Sequence, residues 1–425
     1  MSSPAESLSR GRVATTSFGS LDRFLRQRLI DRMTDLRGGQ LRLHDELGDV
    51  LLGESGLADG LTASIHVHDP DFYRQIAANG SVGAGEAYME GAWSCDDLVS
   101  LVRLLVRNRD LLDGVESGLA RLGGWAMKAL HASRRNTRTG SRRNISAHYD
   151  LGNEFFRIFL DENLMYSSAI FATPDEGLEQ ASLRKLDRIC EKLQLHSGDH
   201  LLEIGTGWGG MALHAAGNYG CRVTTTTISA EQHALASARV QEAGLADRVT
   251  VLREDYRDLQ GRYDKLVSIE MIEAIGHQYM DTYFQKCASL LEPGGLALVQ
   301  AITIEDHRYE QALQSVDFIK RHVFPGSFIP CVSAMVESAA RAGGLRLLNL
   351  EDFGDSYALT IRHWRQRFTS RLDRVRGLGY DDRFVRMWEF YLCYCEGGFL
   401  ERSISDVHLL LAPSGNRRQQ YLPGL

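Results

Sequence analysis

Hydrophobic and polar positions follow one period in the first part of the chain and another in the second. In LDRFLRQRLIDRMTDL, Leu21, Phe24, Leu25, Leu29 and Met33 fall on one helical face and arginines surround them. Such a helix either packs on its own domain with a solvated basic face or lies on an anionic surface. GQLRLHDEL and LTASIHVHD alternate with period two and predict strands of a small sheet. FYRQIAANGSVGAGEAYMEGAW predicts a helix, a glycine-rich turn and a second helix. DDLVSLVRLLVRNRDLL is strongly amphipathic, leucine and valine against arginine, and GLARLGGWAMKALH continues in that style. Residues 21–131 therefore read as a mainly helical module without a catalytic constellation, preceded by a Ser-rich, mobile 1–20.

Beyond residue 145 strands and helices alternate. A helix from Leu178 to Leu193 leads into HLLEIGTGWGG, an apolar strand that runs into a glycine turn. GMALHAAGNY, CRVTTTTIS, AEQHALASARVQEAG, RVTVLRED, YDKLVSIEMIEAI, HQYMDTYFQKCASLLEPGG and LALVQAITI then alternate helix with strand, the rhythm of a doubly wound parallel sheet. LRLLNLEDF and SYALTIRHW predict a closing antiparallel hairpin. IRHWRQRFTSRLDRVRGLGY and DDRFVRMWEFYLCYCEGGFLE predict helices, the aromatics of the second expected against the sheet.

Composition narrows the classes. At 425 residues, 44% hydrophobic and 24% charged, the chain is an ordinary globular protein of two or three domains. A net charge of −7 gives no global reason to expect nucleic acid. Charge is uneven, however: Arg134 to Arg143 holds five arginines and no acid, an exposed arm or linker suited to lipid headgroup phosphates. The seven cysteines lack metal or disulfide spacing, which predicts reduced thiols in a cytosolic protein. His66 and His68 share a strand face without acidic partners and are expected to face solvent, so no metal is predicted. MSSPAESLSRGR has no signal-peptide core, and no apolar stretch is long enough to span a membrane.

Candidate chemistry lies at the carboxyl ends of the predicted strands, where this kind of sheet binds ligands. Gly205, Gly207 and Gly210 permit a tight turn and close backbone approach, and Glu203 precedes them inside an apolar run, favouring a cationic or hydroxyl-bearing ligand. The spacing also satisfies a dinucleotide fingerprint. A nicotinamide enzyme, however, wants an acid after the second strand, where this chain has Thr225-Thr226-Thr227-Ile228-Ser229. EPGG followed by the hairpin is the layout of S-adenosylmethionine-dependent methyltransferases.

HYDLGNEFF, MYSSAIF, LLEIGTGWGG, TTTTISAEQ, EDYRDL, SIEMIEAIGH, FPGSFIP and FGDSYALT follow one another in order, and together they resemble the cyclopropane-fatty-acyl-phospholipid synthase family from about Ile145 to Leu411. The resemblance implies a class I methyltransferase-like, seven-stranded Rossmann-type α/β sheet over 145–412. It also implies a lipid-binding N-terminal domain over 21–131, a basic linker over 132–144 and a flexible tail over 413–425. S-adenosylmethionine would be held by Gly205, Gly207 and Glu203, with Tyr166 and Ser167 closing over its carboxylate. Thr226 and Gln232 would take the ribose hydroxyls, and Asp255 and Tyr256 would lie beside the adenine. A bound bicarbonate would be the base, held by Glu273, Tyr357, Ser168, Gln300 and Ile302. Ser168 and Gln300 stand where many members have Cys and His; both still hydrogen-bond an anion, but glutamine brings no positive charge. His277 is an alternative base. Phe155, Phe156, Phe171, Phe318 and Phe328 are candidates to line an acyl tunnel.

The expected reaction is methylene transfer to a cis double bond of a phospholipid acyl chain, with ring closure; a sibling outcome leaves a methyl branch or methylene group. Other readings are a nicotinamide-dependent oxidoreductase and a non-catalytic lipid-surface protein. The resemblance further implies a homodimer, peripheral on the inner face of the membrane.

Overall fold

A computed structural model describes residues 17–54, 60–113 and 151–417. The basic arm at 134–143 and the first sixteen residues lie outside the described residues. The chain forms two compact units, one from residues 1–129 with 376–401 and the other from 130–375 with 402–425.

In the first unit, α1 (Ser20–Met33) precedes strands β1 (Gly39–His44), β2 (Val50–Gly53) and β3 (Leu61–Val67). Helix α2 (Asp71–Met89), β4 (Trp93–Cys95) and α3 (Leu98–Arg107) follow, and the four strands form one sheet in the order β2-β1-β3-β4. The predicted glycine turn is a kink in α2 at Gly80, φ 56°. His66 and His68 are exposed as expected, His66 stacked on His44 at 4.6 Å.

The second unit carries the large sheet. Helix α4 (Leu178–Leu193) leads to β5 (His200–Ile204), α5 (Gly210–Asn218), β6 (Arg222–Thr226), α6 (Ala230–Glu242) and β7 (Val249–Leu252). Strands β8 (Tyr263–Ile269), β9 (Leu291–Ile304) and β10 (Leu345–Asp352), helix α7 (Gly354–Thr369) and strand β11 (Ile404–Pro413) complete it. The strand order is β10-β11-β9-β8-β5-β6-β7, with β11 antiparallel to both neighbours.

The predicted hairpin needs correcting. β10 forms as expected, but SYALTIRHW belongs to α7 and the partner strand is β11, nearly fifty residues later. Tyr357, Ala358, Ile361, Trp364 and Phe368 are buried at helical spacing, and that stripe overrides the local alternation of Tyr357, Leu359 and Ile361.

Between α7 and β11 runs α8 (Asp382–Leu400), whose aromatics were expected against the sheet. Instead it belongs to the first unit and packs on α2 and α3. Tyr88 donates a hydrogen bond to Glu389 at 2.9 Å, and Arg103 and Arg107 hold Glu401 at 2.7 and 2.8 Å. A Cβ on Gly397 would lie 2.6 Å from Val102 Cγ1. Gly397→Ala should therefore lower the stability of this unit by about 1–3 kcal/mol in urea unfolding, through overpacking.

Candidate active site

The glycine turn joins β5 to α5 at the carboxyl end of the sheet. Gly205 and Gly207 have φ of 105° and 52°, and the Gly205 and Thr206 amides donate to Thr226 O at 3.1 and 3.0 Å. Where a Cβ on Gly207 would project there is open space, so the turn offers a ligand an uncovered backbone edge. At Gly210 a Cβ would instead strike Met165 Sδ at 2.5 Å, because the 161–168 segment folds over the turn. Arg239 ties the two together, donating to Asn163 O at 3.1 Å and Trp208 O at 2.7 Å.

Glu203 is buried and accepts from Thr225 Oγ1 at 2.6 Å. Burial pushes its carboxyl up to about 8, against the Thr225 hydroxyl and the Lys185 charge. Lys185 is wholly buried and donates to Ser167 Oγ at 2.8 Å. Burial lowers its ammonium to about 8, opposed by Glu270, Asp161, Asp406 and Glu203.

The other predicted cofactor residues sit around this turn. The Thr226 hydroxyl donates to Glu254 O at 2.6 Å, and Gln232, in the first turn of α6, accepts from Thr227 Oγ1 at 2.8 Å. Asp255 is held by two Arg257 nitrogens at 2.7 and 2.6 Å, and the same guanidinium lies 5.5 Å from the Tyr256 ring centroid. Tyr166 stands among aromatic rings, 5.3 Å from both Phe156 and Trp364.

A second cluster gathers at the ends of β8, β9 and β11. Glu270, one residue past β8, holds a left-handed φ of 46°, and its amide donates to Gln300 O at 2.9 Å. Its carboxylate accepts from the Ser168 amide at 2.7 Å, Gln300 Nε2 at 2.9 Å and the Tyr357 hydroxyl at 2.6 Å. Gln300 Nε2 also donates to Asp406 Oδ2 at 2.8 Å, while Gln300 Oε1 lies 3.2 Å from His408 Nε2. Burial keeps His408 neutral, so its Nε2 proton faces that oxygen. Glu273 Oε1 accepts from the Ile302 amide at 2.6 Å, and its buried Oε2 has no partner.

Ser168, Gln300 and Tyr357 thus converge as a group, but on Glu270, and Ile302 meets Glu273. The donors expected to grip a bicarbonate are all engaged by the chain's own carboxylates, and the Ser168 hydroxyl donates to Ala169 O at 2.9 Å. A further anion does not fit there, and no step through bicarbonate follows. His277 is exposed at the start of a short 3-10 turn, its ring 6.2 Å from Phe328. Phe155, Phe156, Phe318 and Phe328 are buried, whereas Phe171 is partly exposed and stacks on His363.

Sequence reading missed Glu270, Asp406 and Lys185. Asp406 carried a usable signal: like Glu203, it is an acid beside the apolar run of a buried strand.

Among the described residues no group of His, Cys, Asp and Glu is placed to hold a metal, and no disulfide joins the cysteines. A parallel sheet with one reversed strand, an uncovered glycine turn after β5 and an acid within that strand define an S-adenosylmethionine-dependent methyltransferase. The sequence profile of the mycolic acid cyclopropane synthetase family matches residues 136–409, and the chain belongs to that family. A tuberculostearic acid methyltransferase of Mycobacterium tuberculosis is 38% identical over 81% of this chain and 82% of its own length. A cyclopropane-fatty-acyl-phospholipid synthase of Escherichia coli is 35% identical over 84% and 90%. Among solved structures, the cyclopropane synthase MmaA2 of M. tuberculosis matches 64% of this chain and 98% of its own, at TM-score 0.60 and 28% identity. A mycolic acid cyclopropane synthase complexed with SAH and CTAB matches 64% and 97%, at TM-score 0.60 and 27% identity.

Proposed function

We propose that this enzyme methylates a cis double bond in an acyl chain of a membrane phospholipid and closes a cyclopropane ring on it. The observation that carries this reading is a buried carboxylate cluster, with aromatic rings nearby, in the same unit as the cofactor turn. An alkene is a weak nucleophile, and the cation formed after methyl transfer would be captured by water, so the chemistry needs a dry, anionic surrounding. Bound S-adenosylmethionine supplies an electrophilic methyl group. Gly205 and Gly207 would present backbone to it, with Glu203 below the turn, Tyr166 and Ser167 over it, Thr226 and Gln232 at the ribose, and Asp255 and Tyr256 at the adenine.

The nearby aromatic and apolar residues keep water away, and the Glu270 carboxylate offsets the developing positive charge. Loss of a proton from the transferred methyl group then closes the ring. A methylene-bearing chain is the second reading. It is favoured by the relative named as a tuberculostearic acid methyltransferase, and it needs proton loss from the same carbon after a hydride shift.

Access to a bilayer is supported by α1, which exposes Leu21 at 57% and Phe24 at 59% beside Arg28, whose guanidinium lies 6.0 Å from the Phe24 ring. Among the described residues no helix is long and apolar enough to cross a membrane. Expression in a bacterium without its own cyclopropane synthase, followed by mass and proton NMR analysis of its phospholipids, tests the reading. Cyclopropyl protons are expected; unchanged acyl chains would refute it.

A further inference from the structure

We propose that the Glu270 carboxylate is itself the proton acceptor, standing where the resemblance places a dissolved bicarbonate, so that turnover needs no added anion. This rests on the alkene methylation proposed above and specifies its second step.

Three independent features point to Glu270. Its two oxygens receive three hydrogen bonds, from a backbone amide, a side-chain amide and a phenol, the donor set expected around a bound anion. Its backbone stands at φ 46°, a conformation that costs a non-glycine residue about 1 kcal/mol or more, and such strain persists where the surroundings impose it. It also remains partly accessible at the end of β8, whereas Asp406 is fully buried behind it.

The neighbouring carboxyls divide the protons. Burial and the Glu270 charge push Asp406 well above its usual range, and burial with Glu270 pushes Glu273 up to about 8. Burial raises Glu270 too, but the Tyr357 and Ser168 donors and the Lys185 charge pull it back. Burial and the Glu270 charge thus favour the protonated forms of Asp406 and Glu273, while the three donors on its oxygens make Glu270 the carboxyl of the cluster built to hold charge, a division of roles set by environment.

In the step itself, the methyl carbon–sulfur bond breaks as a carbon–carbon bond forms to one alkene carbon, leaving the cation on the other. A C–H bond of the new methyl group then breaks; its electron pair closes the ring and its proton moves to a Glu270 oxygen. Tyr357, Gln300 and Ser168 are positioning residues for that oxygen.

The test uses the full-length enzyme with unsaturated phospholipid vesicles in carbon-dioxide-free buffer, reading lipid product and S-adenosylhomocysteine separately. Wild-type turnover is expected to be unaffected by added bicarbonate. Glu270→Gln should still be protected from heat by S-adenosylhomocysteine but lose about 100-fold or more in kcat, the scale of a general base. Glu270→Gly accepts the left-handed φ and leaves three donors facing open space, so bicarbonate should restore its activity at least about tenfold. A wild-type enzyme that stalls without bicarbonate, a Glu270→Gln enzyme near wild-type turnover, or a Glu270→Gly enzyme deaf to bicarbonate would each overturn the inference. No lipid product from wild type at all would overturn the functional reading and the inference with it.

Discussion

Gly207→Val should abolish S-adenosylhomocysteine binding while leaving the fold intact. Gly207 has φ 52°, where a β-branched side chain is badly strained. A Cβ there would meet no protein atom within 4 Å, so the side chain would point into the open space where the cofactor is proposed to approach. Strain and occlusion together should weaken binding about 100-fold or more, equivalent to about 2.7 kcal/mol. Thermal shift and calorimetry with S-adenosylhomocysteine measure this, with circular dichroism as the folding control. Equal protection of variant and wild type would move the cofactor site away from this turn.

Tyr357→Phe should shift the acid limb of the kcat/KM profile to higher pH. The proton acceptor works only when ionised, so activity rises as pH climbs through its pKa. Burial raises the Glu270 carboxyl and the Tyr357 hydrogen bond lowers it, so removing the phenol hydroxyl raises it further. The ionised form then appears only at higher pH, and at neutral pH the variant is slower. Glu273, Asp406 and Lys185 also face this group and stay in place, so the whole shift belongs to the lost hydroxyl. A packing defect would lower the rate without moving the limb. Glu273→Gln offers a contrast: a carboxyl that is already protonated loses little on becoming an amide, so this change should cost much less than Glu270→Gln.

The glycine turn was legible because its requirements are local. Left-handed glycines after an apolar strand leave a mark within a few residues, as does an acid placed inside that strand. The carboxylate cluster is different. Glu270 sits one residue beyond a strand, where any solvent-facing glutamate would also sit. Its partners arrive from the 161–168 segment, from β9 and from a helix that reads locally as a strand. The pairing of Ile269 with Gln300 across β8 and β9, and of Gln300 with His408 and Ile302 with Asp406 across β9 and β11, brings the strand members together. The last helix was misplaced for a similar reason: an aromatic face announces burial but not the partner, and here the partner lies nearly three hundred residues earlier.

The decisive experiment follows the transferred carbon. Purified enzyme would be given S-adenosylmethionine with a trideuterated methyl group and phospholipid vesicles carrying a cis-unsaturated chain, and the acyl product analysed by mass spectrometry. Proton removal from the transferred methyl predicts a product that keeps two of the three deuterons. A product that keeps all three would show that the proton leaves from the chain itself and would contradict the account.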